Sequence, residues 1–323
     1  MSEKVKHKTS IGGQALIEGI MMRGPKGNAM AVRMPDGSID VELDNKIPLI
    51  KRNKFLGLPL IRGVVAFIDS MVTGYGYLMK SADKSMTEEE KEESTSKLDK
   101  WLNEHMGEKF MAVVGFISTI IGLALALFMF LWLPTTLFNL FNKVTTYDFS
   151  KLRPLFEGIL KIIIFVLYMF IVSKTPSIKR VFMYHGAEHK TIFCYENGLD
   201  LTVENVRKMK RFHPRCGTSF IFVILIISIL ISSILVLIFP GITANKWLWI
   251  LIKLAVIPLV MGIGYEFIKY AGKHENIFVK ILSAPGLMMQ RITTAEPTDD
   301  IIEVGIESMK AVITDNPEDD KLS

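Results

Sequence analysis

The 323-residue chain has only two cysteines, Cys194 and Cys216, and no Cys-x-x-Cys pair. That excludes a disulfide-stapled secreted scaffold. It has glycine-rich stretches but no Gly-x-Gly-x-x-Gly, and no Gly-Lys-Ser/Thr follows its glycines, so neither a dinucleotide fingerprint nor a P-loop is present. No RNA-recognition, zinc-finger or helix-turn-helix signature accompanies its formal charge of +5, and no nucleic-acid partner is expected. A nucleophile elbow, a Ser/Lys dyad and the paired transmembrane aspartates of an intramembrane protease are all missing. The polar, lysine-rich start leads into no apolar run, so no cleaved signal peptide is expected. There is no internal repeat of the kind that builds secondary transporters.

Long hydrophobic runs are abundant. Half of the residues are apolar, and they are gathered into blocks separated by charged stretches. Residues 111–133 and 219–239 carry no charge, 155–173 carries Glu157 and Lys161 near its start, and 247–268 holds Lys253, Pro258 and Glu266. Each run provides the roughly 20 residues that cross a ~30 Å hydrocarbon core at ~1.5 Å per residue. Trp132, Trp247 and Trp249 stand at run ends, where an aromatic belt places them. The expected fold is mainly α: a polytopic helical membrane protein of about four spans in a lipid bilayer. Residues 58–82 are also apolar at helical spacing but contain Arg62 and Asp69, and are read as a re-entrant or interfacial helix, with a fifth span as the rival. Residues 29–34 and 38–43 flank Asp36-Gly37 and predict a small β-hairpin.

Four consecutive segments follow: a glycine-rich segment and hairpin at 1–57, with residues 11–25 read as a structural loop, an interfacial helix and charged linker at 58–110, a transmembrane domain at 111–292, and an acidic tail at 293–323. The tail is read as mobile apart from an amphipathic stretch at 301–312. Lysine and arginine crowd the connection between the second and third runs, from Lys174 to Arg215, and are sparse in the first and third connections. The positive-inside rule therefore places the loop 174–218 and both termini in the cytoplasm, with the chain in the cell membrane.

Chemistry concentrates in that loop. His-Gly-Ala-Glu-His at 185–189 is an H-x-x-E-H pattern. On a helix, His185 and His189 share a face one turn apart and can bind one divalent ion, with zinc the expected metal and Glu188 as base. Gly186 weakens this helix by ~1 kcal/mol relative to alanine. The competing reading is a pair of interfacial histidines bonded to headgroups or carboxylates. A second motif, His213-Pro214-Arg215-Cys216-Gly217-Thr218-Ser219, offers His213 and Cys216 as further ligands and Arg215 as an anion donor at a helix start. A capping loop with a snorkelling Arg215 explains it equally well. Glu266, a costly carboxylate near a span end, is a candidate third ligand, and His274-Glu275 a weaker one. Glu157 and Lys161 are read as a structural i,i+4 pair, and Cys194 as a packed thiol.

The segments Gly-Gly-Gln-Ala-Leu-Ile-Glu-Gly-Ile-Met-Met-Arg-Gly-Pro at 12–25, His-Gly-Ala-Glu-His-Lys at 185–190 and His-Pro-Arg-Cys-Gly-Thr-Ser-Phe at 213–220 resemble the bacterial DUF1385 family. The resemblance runs from about Ile11 to Arg291. It implies a multi-pass membrane protein and a metal-dependent enzyme with no assigned reaction. Three functions are therefore carried forward. The first is a metal-dependent hydrolase using His185, Glu188 and His189, completed by His213, Cys216 or Glu266. The second is an assembly or regulatory factor binding a membrane-protein partner through the hairpin and the charged segment 83–105. The third is solute or ion transport as a homo-oligomer.

Overall fold

The computed structural model describes residues 7–45, 49–87, 117–274 and 276–321. The charged segment from residue 88 to 105, the first six residues of the run expected at 111–133, and Glu275 lie outside the described residues. Packing groups the chain into two units. One unit combines Met1–Ser85, Leu167–Ile224 and Pro258–Ser323; the other combines Met86–Val166 and Leu225–Ile257.

The first unit is built on an antiparallel meander, β1 (Gly12–Leu16), β2 (Gly19–Gly24), β3 (Gly27–Arg33) and β4 (Ile39–Asp44), in the order β1-β2-β3-β4. The expected hairpin is its second half. Gly37, in the turn, has φ +85°, a conformation that favours glycine. The glycine-rich segment, expected to be a loop, instead forms β1 and β2, with Leu16 facing Gly19 across a turn in which Glu18 has φ 51°. Alternation explains why β2 and β3 are buried on both faces. Ile20, Met22, Ala29 and Ala31 pack against Ile301, Val304, Met309 and Val312 of the C-terminal helix Asp299–Val312. Met21, Met30, Val32 and Leu16 point the other way, against Tyr77 and Leu78 of the helix Ile61–Ser85.

The stretch expected to be an amphipathic part of a mobile tail is thus a core helix. Its apolar residues form one face, and Ser308 donates to the carbonyls of both Ile20 and Ala29. Acidic composition hid this role, because Asp299 and Asp300 sit in the first turn, where they suit the helix dipole. The termini are clasped together as well: Thr9 Oγ1 donates to Asp320 at 2.6 Å, and His7 Nε2 lies 2.6 Å from the same carboxylate.

Four helices among the described residues are long and apolar enough to cross a membrane: Ile117–Val144, Ser150–Val172, Phe220–Ile238 and Lys246–Lys273. Ile61–Ser85 is not among them, although Ile68, Met71, Val72, Tyr75 and Met79 form an exposed apolar face. The first span runs eleven residues past the expected end at Leu133. A wider π turn over Phe128–Trp132 precedes Pro134, and the helix continues through the proline.

Within the second unit, Glu157 is buried and does not make the expected pair with Lys161. It accepts instead from Arg153 Nε at 3.0 Å, Lys253 Nζ at 2.9 Å and Trp249 Nε1 at 3.1 Å. Lys253 also donates to Thr135 Oγ1 at 2.6 Å, and Arg153 to the Thr243 carbonyl at 2.8 Å. The carboxylate thus ties two helices together, and Lys253 links a third through Thr135. Gly158, beside it, allows the Ile229 side chain to approach where a Cβ would lie 2.2 Å from its Cγ1.

Candidate metal centre

The connection between the second and third spans folds into the motif helix Pro176–Glu196, a short helix Val203–Arg207 and the loop that starts the helix Gly217–Ile238. Pro176 occupies a first-turn position where its missing N–H costs nothing. Helical spacing then aligns His185, Glu188, His189, Ile192 and Glu196 on one face.

Both motif histidines are oriented by the same device. His185 Nδ1 lies 2.8 Å from the Thr293 carbonyl, and His189 Nδ1 lies 2.5 Å from the Arg211 carbonyl. A carbonyl can only accept, so each Nδ1 carries a proton, and in the neutral imidazole Nε2 is then the nitrogen with the lone pair. His185 Nε2 faces Cys216 Sγ at 3.1 Å. His189 Nε2 is buried with no hydrogen-bond partner among the described residues. His185, His189 and Cys216 bring one ligand atom each to within 4.8 Å of one another.

This donor set fits a divalent ion. Metal-binding histidines characteristically spend their second N–H on a carbonyl or carboxylate. Two imidazoles and a thiolate suit Zn²⁺, and nitrogen and sulfur ligands at ~2.0 and ~2.3 Å from a tetrahedral ion stand about 3.5 Å apart. Three protein ligands leave the fourth position open.

The three side chains line a cavity of about 400 Å³ that also takes in Glu188, His213 and Arg215. Burial pushes the Glu188 carboxyl above its ordinary pKa, against the opposing pull of His185 and of the Gly13 N–H. That N–H donates to Glu188 Oε1 at 3.1 Å. A Cβ on Gly13 would sit 3.0 Å from Glu188 Cγ and 2.7 Å from the Met21 carbonyl oxygen, so β1 can lie on the motif helix only through glycine. Gly186 is explained similarly. A Cβ there would meet the Ala295 carbonyl oxygen at 2.1 Å, and the segment carrying that carbonyl also carries Thr293, which orients His185.

The remaining candidates are placed differently. His213 is next to the cluster, with its ring 5.5 Å from that of His189, but its Nδ1 accepts from the Arg215 N–H, and its Nε2 lies 3.7 Å from Glu196. Burial lowers its pKa to about 4, so it is neutral. Gln290 brackets its backbone from both sides, accepting from the His213 N–H at 2.7 Å and donating to its carbonyl at 2.8 Å. The Arg215 guanidinium is engaged by Glu196 and by the Thr9 carbonyl. Burial works against the Glu196 charge, but His213 and Arg215 outweigh it and hold its carboxyl below the usual range. Glu266 does not join the cluster. Arg62 Nε donates to it at 2.6 Å and Nη2 takes its other oxygen, at a helix crossing where a Cβ on Gly63 would come within 2.8 Å of Gly262 Cα. His274 stacks on Tyr270, and Cys194 is fully buried among Val206, Ile302 and Ile306.

Sequence reasoning missed Glu196 and the orienting carbonyls of Thr293 and Arg211. Glu196 had a legible signal, since it continues the face of His185 and His189. Backbone carbonyls have none, because any residue supplies one.

A family model described as a protein of unknown function, DUF1385, matches residues 58–315. The uncharacterized protein YqhQ of Bacillus subtilis (strain 168) is 34% identical over 323 residues, covering 95% of this chain and 94% of the relative. No solved structure matches. The family match spans most of the chain and the relative aligns along nearly all of it, so the motifs at 185–190 and 213–220 sit within a shared whole-chain architecture, and the chain belongs to the DUF1385 family.

Proposed function

We propose that this is a metal-dependent membrane hydrolase whose site lies at the cytoplasmic ends of its spans. The carrying observation is the matched pair of histidines: each Nδ1–H is held by a backbone carbonyl, His185 Nε2 faces Cys216 Sγ, and His189 Nε2 is buried without a partner among the described residues. His185, His189 and Cys216 would hold the ion. A Zn²⁺ held there would supply Lewis acidity and lower the pKa of water. Glu188 takes the water's proton at Oε2, the oxygen not bonded to Gly13, and its raised proton affinity suits that role. His213, Glu196 and Arg215 act behind these groups and position the loop that carries Cys216. The cytoplasmic orientation rests on the basic residues between Lys174 and Arg215.

Metal analysis of the purified full chain tests the reading. About one equivalent of zinc is expected in the wild type, and its loss in His185→Ala/His189→Ala. Equal metal content in the two proteins would overturn the proposal.

One observation favours a second reading, a non-enzymatic assembly factor. Glu188 and Glu196 both receive N–H groups of the N-terminal segment, from Gly13 and Thr9. On that reading the polar cluster locks the sheet to the motif helix. Glu188→Gln separates the two, because the amide keeps the Gly13 hydrogen bond but cannot serve as a base. Function retained in this variant would favour assembly.

A further inference from the structure

The second unit gathers more positive than negative charge among its spans. Arg153, Glu157 and Lys161 follow one another at i, i+4 and i+8 on the helix Arg153–Val172, which places them on one side of it over ~12 Å. Lys253 joins them from the span Lys246–Lys273 through its bonds to Glu157 and Thr135. One carboxylate is thus set among three cations. Asp148, the other carboxylate among the described residues of this unit, is exposed and accepts from the Ser150 N–H at 2.9 Å.

Two of these cations have donors to spare. The Arg153 side chain is only 4% exposed. Its Nε donates to Glu157 Oε1 and its Nη1 to the Thr243 carbonyl, but Nη2 is buried with no hydrogen-bond partner among the described residues. The Nε and Nη2 of a guanidinium present parallel N–H bonds, the fork that a carboxylate closes when it binds side-on. Here the fork is half closed, because Glu157 Oε2 receives Lys253 and Trp249 instead. The unspent Nη2 N–H therefore points alongside Glu157, into the cluster. Lys161 is partly buried and makes no hydrogen bond or ion pair among the described residues. The charges that act on it are Lys253, which repels it, and Glu157, which attracts it. Ionisable groups inside a span are costly unless neutralised, and they mark ion sites.

We propose that this cluster binds one small monovalent anion of the chloride class, held between Arg153 Nη2 and Lys161 Nζ. Charge selects the sign of the ligand. Three cations against one carboxylate leave an excess of positive charge, and an anion reduces it while accepting from the orphaned N–H. Donor supply selects the kind of anion. Nη2 and Lys161 Nζ are too few for the four oxygens of phosphate or sulfate, whereas a spherical halide demands no fixed set of donors. The remaining surface of the cations is covered by rings: Phe138 lies 5.2 Å from the Arg153 guanidinium and Trp249 5.4 Å from Lys253 Nζ. The site belongs to the unit that does not carry the histidine cluster, and it does not rest on the hydrolase reading.

The test measures equilibrium binding of radiolabelled chloride to the full chain in neutral detergent, at neutral pH and constant ionic strength. A single saturable site per chain is expected, competed by bromide and not by gluconate. An ion that binds only the folded state stabilises it, so exchanging gluconate for chloride should also raise the melting temperature. Lys161→Leu should weaken chloride binding by at least ~10-fold and abolish the chloride-dependent rise, because it removes a unit charge beside the ion. Its melting temperature in gluconate should stay near that of the wild type. Lys161→Arg keeps the charge and should keep the binding. Lys151→Leu, at an exposed lysine of the same unit, should change nothing. Arg153→Lys, which removes the Nη2 donor, supplies the same loss should Lys161→Leu not fold. No saturable chloride binding, or equal binding in the wild type, Lys161→Leu and Arg153→Lys, overturns the proposal. Displacement by inorganic phosphate or glycerol phosphate at concentrations where bromide fails overturns the halide and assigns the site to a phosphate or lipid headgroup.

Discussion

Replacing Gly186 by alanine sets two effects of opposite sign against each other. Alanine is the better helix former, and in an exposed helix interior the change should stabilise by ~1 kcal/mol. Here the new Cβ would meet the Ala295 carbonyl oxygen at 2.1 Å, far inside the closest contact a methyl group makes. The obstacle cannot step aside cheaply. Ala295 donates its N–H to the Phe182 carbonyl at 2.8 Å, and Thr294 is bonded to Gln290 through both its N–H, at 3.0 Å, and its hydroxyl, at 2.6 Å. The overlap must therefore be relieved by moving the segment or the motif helix, and forced overpacking of this kind costs about 1–3 kcal/mol or more. The collision is severe enough to place the cost at the upper end, so the net effect is a destabilisation of roughly 2 kcal/mol. Thermal melts of wild type and Gly186→Ala in the same detergent measure it. Zinc content supplies a second readout, because displacing the segment shifts the Thr293 carbonyl that orients His185. A melting temperature at or above wild type would refute the reasoning, since the helix-propensity gain would then be the larger effect.

Four further outcomes follow from the same geometry. Glu157→Leu leaves Arg153 and Lys253 buried without their shared carboxylate and should destabilise by about 3–5 kcal/mol in detergent melts, whereas Lys161→Leu should cost far less. Glu266→Gln should leave metal content unchanged, because Arg62 and not the ion is its partner; zinc loss would show that the cluster extends further. The Cys194 thiol, buried and pushed up to about 11, should resist maleimide at pH 8 in the folded protein and react on unfolding, which mass spectrometry reads directly. For His213 the folded pKa of about 4 lies below the ordinary 6.5, so its contribution is fully present above pH 6.5 and is lost as pH falls toward 4. The loss is worth roughly 3 kcal/mol, and His213→Gln should flatten the acid limb of a stability–pH profile.

The parts legible in the sequence were those encoded locally. The spans were visible because long apolar runs need no partner to be recognised, and the second hairpin because Asp36-Gly37 specifies its own turn. The pairing of His185 with His189 followed from helical period alone. What was not legible depended on residues far apart in the chain. Glu266 looked like an unpaired intramembrane carboxylate because Arg62 is 204 positions away. The C-terminal helix looked like solvated tail because its apolar face is matched by strands at the opposite end of the chain. The first hairpin looked like a loop because its glycines, at Gly13 above all, mark close approach to another element and not flexibility. The same distinction bears on the site. A histidine pair on a helix becomes a metal-ligand pair only when both rings are turned with Nε2 outward, and that choice is made by the carbonyls of Thr293 and Arg211, whose positions depend on the whole fold. The candidate donors are thus written in the motif, but their orientation is written in the packing of the helices and segments around it, and perturbing Gly186 or Gly13 should disturb the cluster without removing any donor.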